Sequence, residues 1–341
     1  MRKTSCVVGI VLVASLAACK SKTENAADQA PPPPAGSQVA ATPPAPPPPP
    51  KPSLAEQQQA SLKAVSDALN AHDAKKYGAA FAENGVAKFF PDVLTGRDAI
   101  EKGANGLFER VQDFKFAFER TWTKGPIVVA TWAWSGTNAK THRPVGLEGA
   151  GVFEYSDDGL IKELRAYQND ATIDSQNDPK AKAGSFRPVP AIAAATEAIA
   201  STNAAAEDAL VATLKPMYEA LDNKKEADVL AFFTDDSQLD DYTMPASGKG
   251  KKDSKAMYDD YVKSFPDFKQ LPLANQLAIG NFVFSEGEIK APRTGQIGPI
   301  KPTTKPVDVH FLDIVEVKDG KVAHLQTFVN AAELLAQLGV H

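Results

Sequence analysis

The sequence predicts an α+β protein in which one arrangement, helices followed by strands, is built twice. Three observations carry that expectation. The chain matches itself at a nearly constant offset; each copy opens with helical periodicity and closes with strand periodicity; and about 290 residues follow a proline-rich stretch, more than one small core needs.

Met1-Arg2-Lys3 supplies a positive start, and Cys6 to Ala18 is an almost wholly apolar run of signal-peptide length, too short to span a bilayer. Residues 1–18 are therefore read as a leader that is removed. Leu16-Ala17-Ala18-Cys19 closes the run and resembles the bacterial lipoprotein lipobox, which implies a lipid on the Cys19 sulfur and cleavage just before it. Lys20 resembles the outer-membrane class of lipoproteins, so the expected location is the cell envelope, anchored on the periplasmic side of the outer membrane. The chain has 2 cysteines, Cys6 in the leader and Cys19 at the anchor, so Cys19 has no disulfide partner within the mature chain.

Residues 19–53 follow as the acylated cysteine and a linker. Pro31 to Pro34 and Pro46 to Pro50 leave too few apolar groups to bury, so the stretch is read as an extended spacer rising about 3.1 Å per residue. A formal charge of -5 argues against nucleic acid as a partner.

The repeat starts at residue 54. Pro91, Gly96, Arg97, Asp113 and Phe114 recur 154 positions later as Pro245, Gly250, Lys251, Asp267 and Phe268. His142-Arg143-Pro144-Val145 matches Thr304-Lys305-Pro306-Val307 at 162, the difference being an insertion within Pro292 to Pro302 of the second copy. Glu163 to Asn169 matches His324 to Asn330 at 161. The expected domains are 54–177 and 203–341, with an Ala-rich connector at 178–202 whose Ala191 to Ala206 reads as helical.

Within each copy an amphipathic helix comes first, marked by Leu62, Val65 and Leu69 and then by Leu210, Leu214, Met217 and Leu221; Pro216 should bend or restart the second helix. Strands follow, with Phe114, Phe116 and Phe118 alternating against polar neighbours and Val128 to Trp134 beside them. Val307 to Val317 and Val322 to Val329 form a hairpin around Asp319-Gly320, a favoured two-residue turn.

Ser264-Phe265-Pro266-Asp267-Phe268, Gly250-Lys251, Asp319-Gly320-Lys321-Val322 and the closing Leu334-Leu335-Ala336-Gln337-Leu338-Gly339 resemble the SnoaL-like branch of the NTF2-like superfamily, which includes polyketide and ester cyclases. The first copy keeps Thr95-Gly96-Arg97, Asp113-Phe114, Ser135-Gly136-Thr137 and Ile161-Lys162-Glu163. The resemblance implies two cone-shaped domains, each a curved antiparallel sheet wrapped over helices around a pocket, packed as an internal pseudo-dimer. It also implies a general-base Asp on the last strand, where this chain has Asn169 and Asn330. An amide has no useful basicity near neutral pH, so no catalytic residue is assigned.

With Lys318 opposite Lys321, strand alternation puts Val309, Phe311, Asp313, His324, Gln326, Phe328 and Asn330 on one face. That mixture of apolar and isolated polar groups suits a small-molecule cavity or a half-solvated face. The set in the first copy is Glu163, Arg165, Tyr167 and Asn169 with Trp132 and Trp134 on a neighbouring strand, either a ligand site or core. Expected partners are the membrane, through the lipid, and a small apolar ligand or a protein; Glu163 or His324 would be the base if there is chemistry. The five histidines, His72, His142, His310, His324 and His341, show no metal-ligand spacing, and neither metal nor cofactor is expected.

Overall fold

The computed structural model describes residues 52–192, 196–270, 273, 275–298 and 300–340. The leader, the lipobox and Cys19 lie outside the described residues.

In the first domain, Ser53 and Glu56 exchange hydrogen bonds in a capping box that starts α1 (Leu54–Asn70), whose Leu62, Val65 and Leu69 stripe is buried. The order continues α2 (Ala74–Ala79), β1 (Phe81–Phe89), β2 (Asp92–Thr95), α3 (Arg97–Arg110), β3 (Val111–Lys124), β4 (Ile127–Asn138), β5 (Pro144–Tyr155), β6 (Ile161–Gln168) and α4 (Ala171–Asn177). After β7 (Glu197–Ala200) the second domain repeats it as α5 (Ala204–Asp222), α6 (Glu226–Leu230), β8 (Phe233–Asp241), β9 (Gly248–Lys249), α7 (Gly250–Ser264), β10 (Lys269–Gln270), β11 (Asn275–Ile279), β12 (Phe282–Ala291), β13 (Val307–Lys318), β14 (Lys321–Val329) and α8 (Ala331–Leu338).

The first sheet runs β2-β1-β6-β5-β4-β3-β7, and in the second β9-β8-β14-β13-β12 leads to β10 and β11, both paired with β12. The sheets are mixed, because β1 lies parallel to β6 and β8 parallel to β14. This is the α+β architecture expected, twice over. Each sheet buries one face against its own helices and the other against the second sheet. Trp122, Val129, Ala150, Val152 and Tyr167 meet Ile279, Phe282, Phe284, Leu312, Ile314 and Phe328 in one apolar cluster, with the Trp122 ring 5.1 Å from both Phe282 and Phe284.

Three expectations are corrected. Residues Glu197–Ala200 of the Ala-rich connector form β7 instead of helix. Arg120 pairs with Glu197 at 2.7 Å while Thr121, Trp122 and Thr123 register against Ala198, Ile199 and Ala200. The open edge of β3 satisfies the connector backbone, and that pairing overrides the helical propensity of alanine. Of the bend or restart expected at Pro216, the restart does not occur, since α5 is one helix with Pro216 inside it.

The third correction concerns the hairpin. Asp319 and Gly320 take positive φ of 52° and 72°, and Lys318 faces Lys321 as expected. Val317 then pairs with Val322, but Glu316 pairs with His324, so Ala323 is an extra residue that shifts the ladder by one. A shift of one inverts every side chain that follows. Asp313 therefore faces Thr327, with Phe311 beside Val329, whereas His324, Gln326 and Phe328 lie on the opposite face with Glu316, Ile314 and Leu312. The first copy does the same at Lys162, because Tyr155 pairs with Ile161 and Glu154 with Glu163.

Candidate functional site

Most of the residues singled out from the sequence do not meet in a pocket. Trp132 and Trp134 join the helix-facing core of the first domain, with Phe116, Phe118, Phe153 and Leu164. Arg165 and Tyr167 alternate with Leu164 and Ala166 along β6 and so point the other way, at the second domain. There the Arg165 guanidinium grips Glu286 with Nε and a terminal nitrogen at 2.7 and 2.8 Å, and the Tyr167 hydroxyl donates to the same carboxylate at 2.7 Å. Phe328 is buried in the same interdomain cluster, and Gln326 donates to the Tyr242 hydroxyl at 3.0 Å.

Each of the two alternative bases is engaged by a side-chain partner. Burial pushes the Glu163 carboxyl up, but hydrogen bonds from Arg165 and Lys88 outweigh it and hold the group low. His324 Nε2 lies 2.7 Å from Asp240, whose acidity is held at about 2 because His324 and Ser247 outweigh the effect of burial. Arg187, from the connector, lies 3.5 Å from Asp240 and 3.7 Å from Glu148, with its guanidinium 4.3 Å from the centre of the Tyr242 ring.

Asn169 and Asn330 form a reciprocal clasp between the domains. Asn169 accepts from the Ala331 amide and donates to the Tyr242 carbonyl, both at 3.2 Å. Asn330 accepts from the Asp170 amide at 3.2 Å and donates to the Phe90 carbonyl at 2.8 Å. Each amide thus uses its acceptor and its donor on the other domain, a pairing that a carboxylate, with two acceptors, cannot make.

Asp313 is placed differently. Register across the second sheet sets Asp241 of β8, Thr327 of β14, Asp313 of β13, Ser285 of β12 and Gln276 of β11 side by side on the helix-facing surface. The row before it is Leu239, Leu325, Val315 and Val283; the row after it is Val329, Phe311 and Gly287. A polar stripe therefore crosses an apolar surface. Thr327 donates to Asp313 Oδ1 at 2.9 Å, and the Tyr218 hydroxyl comes down from α5 to Oδ2 at 3.2 Å. Gln276 Nε2 donates to the Ser285 hydroxyl at 3.0 Å.

Asp313 is 8% exposed. Burial, reinforced by the like charge of Asp241 and only partly offset by the hydrogen bonds from Thr327 and Tyr218, pushes its carboxyl up to about 7. A carboxyl there divides between acid and carboxylate at neutral pH, so it can give or take a proton, and it can serve as hydrogen-bond donor or acceptor.

In the first domain the same positions carry Ala130, Gly151 and Ala166, one row from Trp132 and Gly149. The indole of Trp132 occupies the space in front of both glycines: a Cβ on Gly151 would stand 2.9 Å from its ring, and one on Gly149 2.6 Å from Nε1. The second domain reverses this pair, with Gly287 in place of the tryptophan and Phe311 in place of Gly149. A Cβ on Gly287 would meet the Phe311 ring at 2.7 Å. The first interior is one apolar cluster; the second holds two, with Leu221, Val262 and Leu273 packed against both.

Residues 62–164 match the SnoaL-like domain family, and residues 212–338 match the SnoaL-like polyketide cyclase family. The chain carries two SnoaL-like domains.

Solved structures resemble single domains of the chain. Wild-type IdmH of Streptomyces antibioticus, a suspected polyketide cyclase, shares 18% identity over 38% of this chain and 99% of its own, with a TM-score of 0.34. An LEH-like epoxide hydrolase of M. tuberculosis shares 22% identity over 33% of this chain and 81% of its own, with a TM-score of 0.29. No curated protein matches the chain.

Of the two SnoaL-like domains, then, the second has the polar interior. Tyr218 and Ser285 escaped the sequence reading, since a lone tyrosine on a helix and a lone serine on a strand carry no motif. Gly149, Gly151 and Gly287 were the available signal, because exchange of large and small residues at matched positions of a repeat marks an interior that has been rebuilt.

Proposed function

We propose that this is a lipid-anchored protein of the bacterial cell envelope whose second SnoaL-like domain binds a small, largely apolar ligand through one polar handle, without catalysis. The first SnoaL-like domain acts as a scaffold, so that the two form an internal pseudo-dimer with one working interior. The observation that carries this reading is the row Asp241, Thr327, Asp313, Ser285 and Gln276 in a sheet face that is otherwise apolar, set against Ala130, Gly151 and Ala166 in the first domain. Isolated polar groups in an apolar surface fix a ligand's orientation.

The test is native mass spectrometry of what copurifies with the chain from residue 20 onward. A small molecule should remain on the wild type, remain on Trp132→Phe and be lost from Asp313→Asn. Equal retention by the Asp313→Asn chain would place the ligand elsewhere.

A second reading, proton transfer of the SnoaL-like cyclase, isomerase or hydrolase type, is favoured by one observation: Asp313 titrates near neutrality beside the Tyr218 hydroxyl, as a general base other than the family's Asp should. Turnover of lactone, epoxide or polyketide-like compounds that rises as pH passes 7, and that is lost in Asp313→Asn, would establish it.

The anchor is tested separately. Lipid on Cys19 predicts that alkyne-palmitate fed to cells labels the wild-type chain and that Cys19→Ser abolishes the label; an equally labelled variant removes the anchor from the proposal.

A further inference from the structure

We propose that the ligand of the second SnoaL-like domain is cationic, an apolar amine or ammonium whose nitrogen takes its place against Asp313. This rests on the reading of that domain as a ligand site and names the class of ligand it takes.

Among the described residues five Asp or Glu side chains are buried: Glu207, Asp240, Glu286, Asp313 and Glu333. Four have a basic partner of their own. Glu207 lies 3.1 Å from Lys124, Glu286 2.7 Å from Arg165, Asp240 2.7 Å from His324, and Glu333 2.9 Å from His310. Asp313 has none within ion-pairing distance. Everything that faces it is neutral or acidic: Tyr218 from α5, Ser285 from β12, Thr327 from β14 and Asp241 from β8.

A carboxylate taken out of water is costly unless a basic group accompanies it, and this protein sets a basic side chain beside each of the other four. At Asp313 two sources remain, a proton or a ligand. The proton explains how the empty domain tolerates the group. It does not explain why a carboxyl stands there, since the matched position in the first domain is Gly151 and its neighbours are Ala130 and Ala166. A cation explains both. Thr327 and Tyr218 each donate to Asp313 and so leave it acceptor capacity for an N–H donor, while Asp241, whose carboxyl burial also pushes up, adds a second acidic group at the end of the row.

The protonated Asp313 carboxyl releases its proton to solvent, the ammonium enters with its charge, and the net charge of the site changes from neutral carboxyl to neutral ion pair. Binding of a preformed ammonium therefore releases up to one proton below pH 7 and almost none well above it.

The experiment is isothermal titration of the chain from residue 20 onward with rigid apolar amines of graded size, from cyclohexylamine to 1-adamantylamine, each beside its alcohol and carboxylate analogue. Running each titration in phosphate and in Tris counts protons. The expected result is amine binding at least tenfold tighter than the matched alcohol, no binding of the carboxylate, and proton release at pH 6 that fades by pH 8.5. Asp313→Asn should remove the preference for the amine, whereas Glu163→Gln should keep it. Alcohols binding as tightly as amines, or a preference that survives in Asp313→Asn, would overturn the cationic ligand and leave a neutral-ligand site standing. Failure of every member of the series to bind would overturn both.

Discussion

Replacing Arg165 with methionine should destabilise the protein by about 3–5 kcal/mol, measured by urea unfolding of the chain from residue 20 onward. Glu286 is only 4% exposed and accepts four hydrogen bonds, two of them from Arg165 and the others from Tyr167 and from Asn275 at 3.2 Å. Removing the guanidinium leaves a charge in the junction of the two sheets with only two neutral donors. The loss should therefore far exceed the ~0–1 kcal/mol of an exposed pair such as Lys63 and Asp67. The contrasting variant is Arg165→Met with Glu286→Leu. With both charges gone, apolar surface replaces the pair, and much of the lost stability should return. A single substitution that costs under about 1 kcal/mol, or a double variant no better than the single, would show that the pair is not what holds the junction.

That junction was only half legible in the sequence. The repeat, the order of its elements and the equivalence of Asn169 with Asn330 follow from self-comparison, and the structure places the two asparagines in matching bonds across the domains. What self-comparison could not supply was direction. Strand alternation assigns faces only while the ladder is unbroken, and a single extra residue at Ala323 and another at Lys162 invert the result. Neither residue is a glycine or any other mark of a bulge. Reading the hairpin as unbroken therefore grouped Asp313 with His324, Gln326 and Phe328, when it belongs with Thr327 and Leu325.

The same inversion separates Trp132 and Trp134 from Arg165 and Tyr167. Aromatics at strand spacing could have lined a ligand site or formed core, and composition does not choose between them. The choice is made by Gly149 and Gly151, which leave room for one indole across two strands. Gly287 and Phe311 make the opposite choice, and only with both registers in hand does Asp313 stand out as the polar group facing a rebuilt interior. The buried charges elsewhere, Glu207 with Lys124 and Glu286 with Arg165, pair residues far apart in sequence, so no local spacing announces them.

Asp313 also sets the second large expectation, a pH dependence of stability opposite in sign to that of most carboxylates. An ordinary salt-bridged Asp binds its proton more weakly in the folded state, so it adds stability above its unfolded value and loses it in acid; Asp240, held at about 2, is of this kind. For Asp313 the folded value is raised, from 3.8 to about 7. Between those limits the folded state binds the proton that the unfolded state has released, so its contribution is fully present below about pH 4 and is lost as pH rises through 7. The displacement corresponds to a loss on the order of 4 kcal/mol across that window. Asp313→Asn keeps the shape and a polar group but cannot ionise. The variant should fall about 1 kcal/mol below the wild type at pH 4, because an amide satisfies Thr327 and Tyr218 less well, and exceed it at pH 8 by on the order of 2–3 kcal/mol. The difference between the two unfolding curves is the quantity to follow, because contributions from Asp240, Glu207 and the surface cancel in it. A difference that stays flat from pH 4 to 8 would mean that Asp313 meets water or a cation in the unliganded protein. A cationic ligand carried through purification would flatten it as well, so the measurement is made before and after dialysis at pH 4, where a protonated Asp313 releases such a ligand.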